Sequence, residues 1–134
     1  MKIFKDKLVL YNEISSIRNL CFVPTMGELH NGHKSLIEKA KRYGKKVIVS
    51  IYVNPKQFNS KSDFKNYPKN KNKDLFLLKK LKVNYLYLPN YKDIFLFKVK
   101  NKIYKDKISK KLCGKFRKKH FVGVLNVVNR FLEI

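Results

Sequence analysis

Histidine and glycine are scarce in this chain, and their placement is the first sign of chemistry. Of its three histidines and five glycines, Gly27, His30, Gly32 and His33 fall in residues 24–33, and Gly114, His120 and Gly123 in residues 113–123. Only Gly44 lies elsewhere. The first window reads Pro-Thr-Met-Gly-Glu-Leu-His-Asn-Gly-His, directly after an apolar run and directly before a helical pattern. Backbone N–H groups at a helix start lack intrahelical partners and sit at the positive end of the dipole, so anions bind there. A glycine permits close approach of the ligand. His30 and His33, three residues apart across such a turn, can both point toward one phosphate chain and donate to oxygens that gain charge during transfer. Zinc is the competing reading of the pair, but third and fourth ligands are missing nearby. A cysteine nucleophile fits less well, because Cys21 sits inside the apolar run, where a buried thiol is ordinarily inert.

The turn needs a strand before it and a helix after it. Residues 20–24 read as a short strand. From His33 to about Tyr43, Leu36, Ile37, Ala40 and Tyr43 share one face, and Gly44 offers a stop. Residues 47–53 form a nearly continuous β-branched run, which predicts a central parallel strand covered on both faces. A polar stretch from Lys56 to Lys73 carries the aromatics Phe58, Phe64 and Tyr67. Residues 74–81 read as helix, 83–88 as a third strand and 121–134 as a helix with Val124, Val127, Val128, Phe131 and Leu132 on one side. Residues 90–111 read as an edge hairpin or a loop. Strands alternating with helices predict an α/β three-layer fold with a mostly parallel sheet, in one domain over 1–134, with ligands at the carboxyl ends of the strands.

Composition adds a constraint and a temptation. With 32 Lys+Arg against 9 Asp+Glu in 134 residues, the formal net charge is +23. Such a charge ordinarily points to nucleic acid or an anionic surface. Yet only Arg18, Arg42, Arg117 and Arg130 supply the bidentate fork of phosphate and base readout. Abundant Lys, Asn, Ile, Phe and Tyr beside a single Ala40 read instead as a codon bias of the genome. The charge is therefore not taken as a nucleic-acid signature. Two cysteines, Cys21 and Cys113, make neither a disulfide framework nor a metal pair, and the N-terminal residues alternate charged with apolar types. A cytoplasmic protein without a membrane span is expected.

Four stretches together carry a resemblance. Phe22-Val-Pro-Thr-Met-Gly-Glu-Leu-His-Asn-Gly-His33, Val49-Ser-Ile-Tyr-Val-Asn-Pro-Lys-Gln-Phe58, Asp63-Phe-Lys-Asn-Tyr-Pro68 and Leu112-Cys-Gly-Lys-Phe-Arg-Lys-Lys-His-Phe-Val-Gly-Val124 resemble, in order and spacing, the motifs of the pantothenate synthetases (pantoate–β-alanine ligases). These are cousins of the class I aminoacyl-tRNA synthetases through the histidine turn. The resemblance implies a Rossmann-like fold and ATP-dependent condensation of pantoate with β-alanine: pantoate carboxylate attacks the α-phosphate, pyrophosphate leaves, and the amine opens the pantoyl adenylate to give pantothenate and AMP. Carried over, Met26, Gly27, Glu28, Leu29, His30, Asn31, Gly32 and His33 form the ATP-binding turn, His33 and His30 are the catalytic pair, and Gln57 holds pantoate. The resemblance also places Arg117 and His120 near the phosphates, although a Lys-rich lead-in to a helix accounts equally for their positions. Asp74 matches an acid linked to Mg²⁺, while Lys73 stands where some relatives carry another acid.

Members of that family continue for roughly as much chain again, so the expectation is an N-terminal part, truncated before the small C-terminal domain and with little ligase activity alone. The family is commonly homodimeric. Two rivals stay open: a basic nucleic-acid-binding module using Tyr43, Phe58, Tyr67 and Tyr85 for stacking, and another adenylyl-transferring enzyme of the same superfamily.

Overall fold

The computed structural model describes residues 1–100 and 120–134, which fall into two compact units. The first holds residues 1–53 and 68–93; the second holds residues 54–67 and, of the described residues, 94–100 and 120–134.

The first unit is built on four strands: β1 (Lys2–Phe4), β2 (Leu20–Thr25), β3 (Lys46–Ile51) and β4 (Tyr85–Tyr87). All pair in parallel, in the order β1-β4-β3-β2, within a three-layer α/β arrangement. The apolar run predicted to be central is central: Val47, Ile48, Val49 and Ser50 are all buried between β4 and β2. Val47 and Val49 on one face join Val23, Leu86, Ile37 and Leu78 in a continuous core. Ile37 comes from α2 (Asn31–Tyr43) and Leu78 from α4 (Lys71–Lys80). Of the α2 face expected to be apolar, Ile37 is buried and Ala40 half-buried, whereas Leu36 is 50% and Tyr43 75% exposed. At 100° per residue, positions 36 and 43 flank the arc centred on 37 and 40, so the core takes its middle and solvent its rim.

Gly44 ends α2 as expected, with an ordinary φ of −112°. Its need for glycine is space: a Cβ there would lie 2.7 Å from Cys21 Sγ and 2.9 Å from Asn19 O. The sequence reading did not include β1 or α1 (Lys7–Ile14). In α1 only Leu10 is buried while Leu8, Val9 and Tyr11 are exposed, so no helical periodicity is written there; Asp6, whose Oδ1 accepts from the Leu8 and Val9 amides, is its one local signal.

The second unit contains a 3₁₀ turn (Pro55–Gln57), α3 (Lys61–Lys65) and α6 (His120–Phe131), and α5 (Tyr91–Phe95) lies where the chain passes from one unit to the other. Within the polar stretch, Phe58 packs edge-on against Phe64 and Tyr67, both at 5.5 Å between ring centres. On α6, Val127 is buried and Leu132, beyond the last helical residue, is 70% exposed. The 90–111 segment shows a short helix in its described part; the rest lies outside the described residues, as do Cys113, Gly114 and Arg117.

Candidate functional site

The carboxyl ends of β2 and β3 are brought level by their register, Thr25 opposite Ile51. Thr25, buried, donates its hydroxyl to Ser50 O at 2.8 Å and accepts the Gly27 amide at 3.2 Å. The chain then turns through two consecutive left-handed residues, Gly27 at φ +83° and Glu28 at φ +51°. Glycine is required at the first, where a Cβ would also lie 3.0 Å from Asp74 Oδ2. Successive residues of this kind curl their N–H groups inward. Here the concavity holds a side chain: the Glu28 amide donates to Asp74 Oδ2 at 3.0 Å and the Leu29 amide to Asp74 Oδ1 at 2.7 Å.

His30 then caps α2. Its Nδ1 accepts the Gly32 amide at 3.1 Å, and His33 Nδ1 accepts the His30 amide at 3.4 Å. The rings lie 4.2 Å apart, tilted by 54°. Because both donors are backbone N–H groups, each Nδ1 must be an acceptor, so each neutral ring carries its proton on Nε2. Burial, and then the neighbouring His30, lower the His33 pKa from its ordinary value, with Asp74 pulling it partly back. The pair is thus set up as two Nε2–H donors.

This changes which groups are available to an anion. Unpaired amides are expected at the helix start, but the amides of Gly27, Glu28, Leu29, His30 and Gly32 are paired with Thr25, Asp74, Asp74, His33 and His30. Side chains have taken the place of the ligand on the turn's backbone, and the imidazoles are left to meet it. A cavity of about 260 Å³ opens beside Met26 and Gly27 at the strand ends, lined also by Tyr52, Asp74, Lys69 and Lys71 but not by His30 or His33. Desolvation, with Tyr91 nearby, pushes the Tyr52 hydroxyl up to about 12.

Gln57 and His120 meet in the second unit. Asn54, fully buried, donates from Nδ2 to Gln57 Oε1 at 3.0 Å and to Gly123 O at 3.0 Å, and its Oδ1 accepts the Lys56 amide at 3.1 Å. With Oε1 bonded to Asn54, the other polar end of the Gln57 amide is a donor NH₂. His120 Nδ1 lies 3.3 Å from Gln57 O. Gly123 allows this approach, since a Cβ there would fall 2.6 Å from Gln57 Cα. The sequence reading thus had Gln57, His120 and Gly123 but lacked Asn54 and Thr25. Asn54 had a signal, a polar cap residue directly before a proline; Thr25, one β-branched residue at the end of an apolar strand, had none.

Mg²⁺ is the one group the resemblance assigns to Asp74. Among the described residues no cluster of three His, Cys, Asp or Glu is disposed to hold a metal ion. Both Asp74 oxygens are engaged by amides and the residue is 2% exposed. Mg²⁺ keeps several waters and needs accessible oxygens, so these residues do not fit it.

A parallel sheet with a cavity at the carboxyl ends of its strands defines an open α/β protein, the class whose ligands bind in the crevice outside those strand ends. The family described as pantoate-beta-alanine ligase matches residues 2–134, and the chain belongs to that family. It is 44% identical over 133 residues to the pantothenate synthetase of Francisella tularensis subsp. novicida, covering 91% of this chain and 50% of that protein. It is 42% identical over 139 residues to that of Buchnera aphidicola subsp. Acyrthosiphon pisum, covering 99% of this chain and 49% of the relative. The crystal structure of the pantoate-beta-alanine ligase from Francisella tularensis, complexed with beta-gamma ATP and beta-alanine, superposes with a TM-score of 0.89 at 42% identity, over 99% of this chain and 52% of that one. The chain therefore spans about half the length of the relatives it matches.

Proposed function

We propose that this chain binds ATP at the turn from Met26 to His33 and serves the adenylation step of pantothenate formation. The observation that carries the reading is the reciprocal histidine cap, which uses Nδ1 of both rings as acceptors and so leaves Nε2–H as the donor of each neutral ring. ATP arrives with its Mg²⁺ as a substrate complex. In the proposed step the pantoate carboxylate attacks the α-phosphate in line, and pyrophosphate leaves. His30 and His33 donate to phosphoryl oxygens as charge builds there, and neutral donors do so without first being neutralised by the nucleophile's charge. Gln57, whose Oε1 is held by Asn54, is assigned to pantoate, which an uncharged amide can bind without quenching. His120 is assigned to the phosphates; Arg117 keeps the same proposed role, outside the described residues. β-Alanine as the second substrate and a homodimer follow the family reading, as does a cytoplasmic location. No helix among the described residues is long and apolar enough to cross a membrane.

The rival nucleic-acid module needs free aromatic faces. Of the four aromatics, Tyr43 is exposed, but Phe58 is packed with Phe64 and Tyr67, and Tyr85 is buried beside Phe4. That favours the nucleotide reading. Calorimetry of MgATP binding to the purified chain, with and without His33→Ala, tests it. Binding weakened by the substitution supports the proposal. A folded chain that ignores millimolar MgATP but binds RNA equally well with and without His33→Ala overturns it. Pantoate-dependent exchange of pyrophosphate into ATP separates this assignment from another adenylyl transfer.

A further inference from the structure

Asp74 is the only residue from outside the turn whose side chain holds its backbone at two consecutive amides among the described hydrogen bonds. It reaches there from the first turn of α4, which Asn70 caps by accepting the Lys73 amide at 3.2 Å. The left-handed pair Gly27 and Glu28 forms a cradle of the kind that elsewhere receives a phosphate or other anion. The cradle is filled by the chain's own carboxylate. Lys73, the next residue to Asp74, reaches Glu28 Oε1 at 3.6 Å, so a second contact ties the same helix turn to the same loop.

We infer that Asp74 is a positioning residue for the histidine turn, acting as a built-in anion in its amide cradle, and is not a magnesium ligand in this chain. The inference rests on the reading of the turn as a phosphate site, because its consequence is the choice of donor. By occupying the Glu28 and Leu29 amides, Asp74 keeps a phosphate chain off the loop backbone and on the Nε2–H groups of His30 and His33. The surroundings agree. Lys69 and Lys71 are among the residues lining the cavity next to Asp74, and positive charge in that lining favours an anion over a free divalent cation. Glu28 has its own cost to meet: a left-handed non-glycine residue is unfavourable, and the charge-assisted bond from its amide to Asp74 offsets that cost.

Two measurements on the full chain decide the matter. The first uses ¹⁵N NMR of the wild type and Asp74→Asn. An asparagine has one acceptor oxygen and an NH₂ that opposes the second amide. The expected result is that the Glu28 and Leu29 amide protons, downfield in the wild type, move upfield in the variant, that the Nδ1-acceptor signature of His30 and His33 weakens, and that MgATP affinity falls by about tenfold, the size of one hydrogen bond to a charged group. Unchanged amide and imidazole signals in a folded Asp74→Asn chain overturn the inference. The second measurement needs no variant: Mn²⁺ alone is titrated into the wild type. Broadening that is non-selective at submillimolar Mn²⁺ supports the assignment; selective broadening of Glu28, Leu29 and Asp74 overturns it. Both readouts stand even where the chain fails to bind MgATP, an outcome that would sink the proposed function and leave the anchor to be judged by its own signals.

Discussion

His33 Nδ1 accepts the backbone N–H of His30 at 3.4 Å, so the ring assigned to phosphate is also the ring that closes the helix start. The two roles separate by substitution. A Gln at this third helical position is a natural partner for the capping residue's amide. His33→Ala should cost about 1 kcal/mol of unfolding free energy, as loss of a cap does, and His33→Gln should recover most of it. Neither should recover ATP affinity, which is expected to fall by about tenfold or more in both, because the Nε2–H donor to a charged phosphate is gone. Urea unfolding beside calorimetry checks this. Recovery of both quantities by Gln would show that His33 matters to ATP only through the cap.

The same bond makes the unit acid-sensitive. An imidazolium has no acceptor nitrogen, and the His33 pKa is lowered in the folded chain, first by burial and then by His30. Between that lowered value and the ordinary value of about 6.5, the unfolded chain binds more protons than the folded one, so stability rises with pH. Its contribution is complete above the ordinary value and is lost as pH falls toward the folded one. The urea midpoint should therefore drop as pH falls below the ordinary histidine value of about 6.5, and His33→Gln should flatten that part of the profile. An equally steep drop in the variant would place the acid sensitivity elsewhere.

Periodicity revealed the elements that bury a regular face and missed those that do not. β3 was legible because every position from Val47 to Ser50 is covered. α1 was not, since it buries one residue of eight, and β1 is three residues long and, among the described strands, pairs with β4 alone. At the site, the rarity of His and Gly located the turn, while its chemistry was inverted: the amides expected to be open are paired. That pairing depends on Asp74, which is 46 residues from Glu28 in sequence. No local pattern writes such a contact.

Gly27 tests the backbone part of the site. An alanine there would occupy φ +83°, and its Cβ would sit 3.0 Å from Asp74 Oδ2 and 3.2 Å from Ile51 Cγ2. The left-handed conformation alone costs about 1–2 kcal/mol. Gly27→Ala is expected to lower stability by at least that amount and to move the Glu28 and Leu29 amide signals in the same direction as Asp74→Asn, because the cradle must open to make room. Thermal unfolding and the same NMR spectrum check both effects. A variant with wild-type stability would mean the turn tolerates another path.

The second unit depends on Asn54 in a comparable way. Its amide makes three hydrogen bonds from a fully buried position, to Gln57 Oε1, Gly123 O and the Lys56 amide. Truncation to Ala removes all three in a place water does not reach, and each buried group stripped of a partner costs about 1–3 kcal/mol. Asn54→Asp keeps the acceptor for Lys56 but turns a carboxylate toward two oxygens that had received N–H donors, so it should be at least as damaging as Ala. Gly123→Ala attacks the same junction from the helix side, where the added Cβ meets the Gln57 backbone at 2.6 Å. Hydrogen exchange should speed up in α6 and at the Lys56 and Gln57 amides for all three variants, while the β3 amides, which belong to the other unit, keep most of their protection. Loss of protection in β3 equal to that in α6 would show that the two units unfold as one and that Asn54 supports the whole chain.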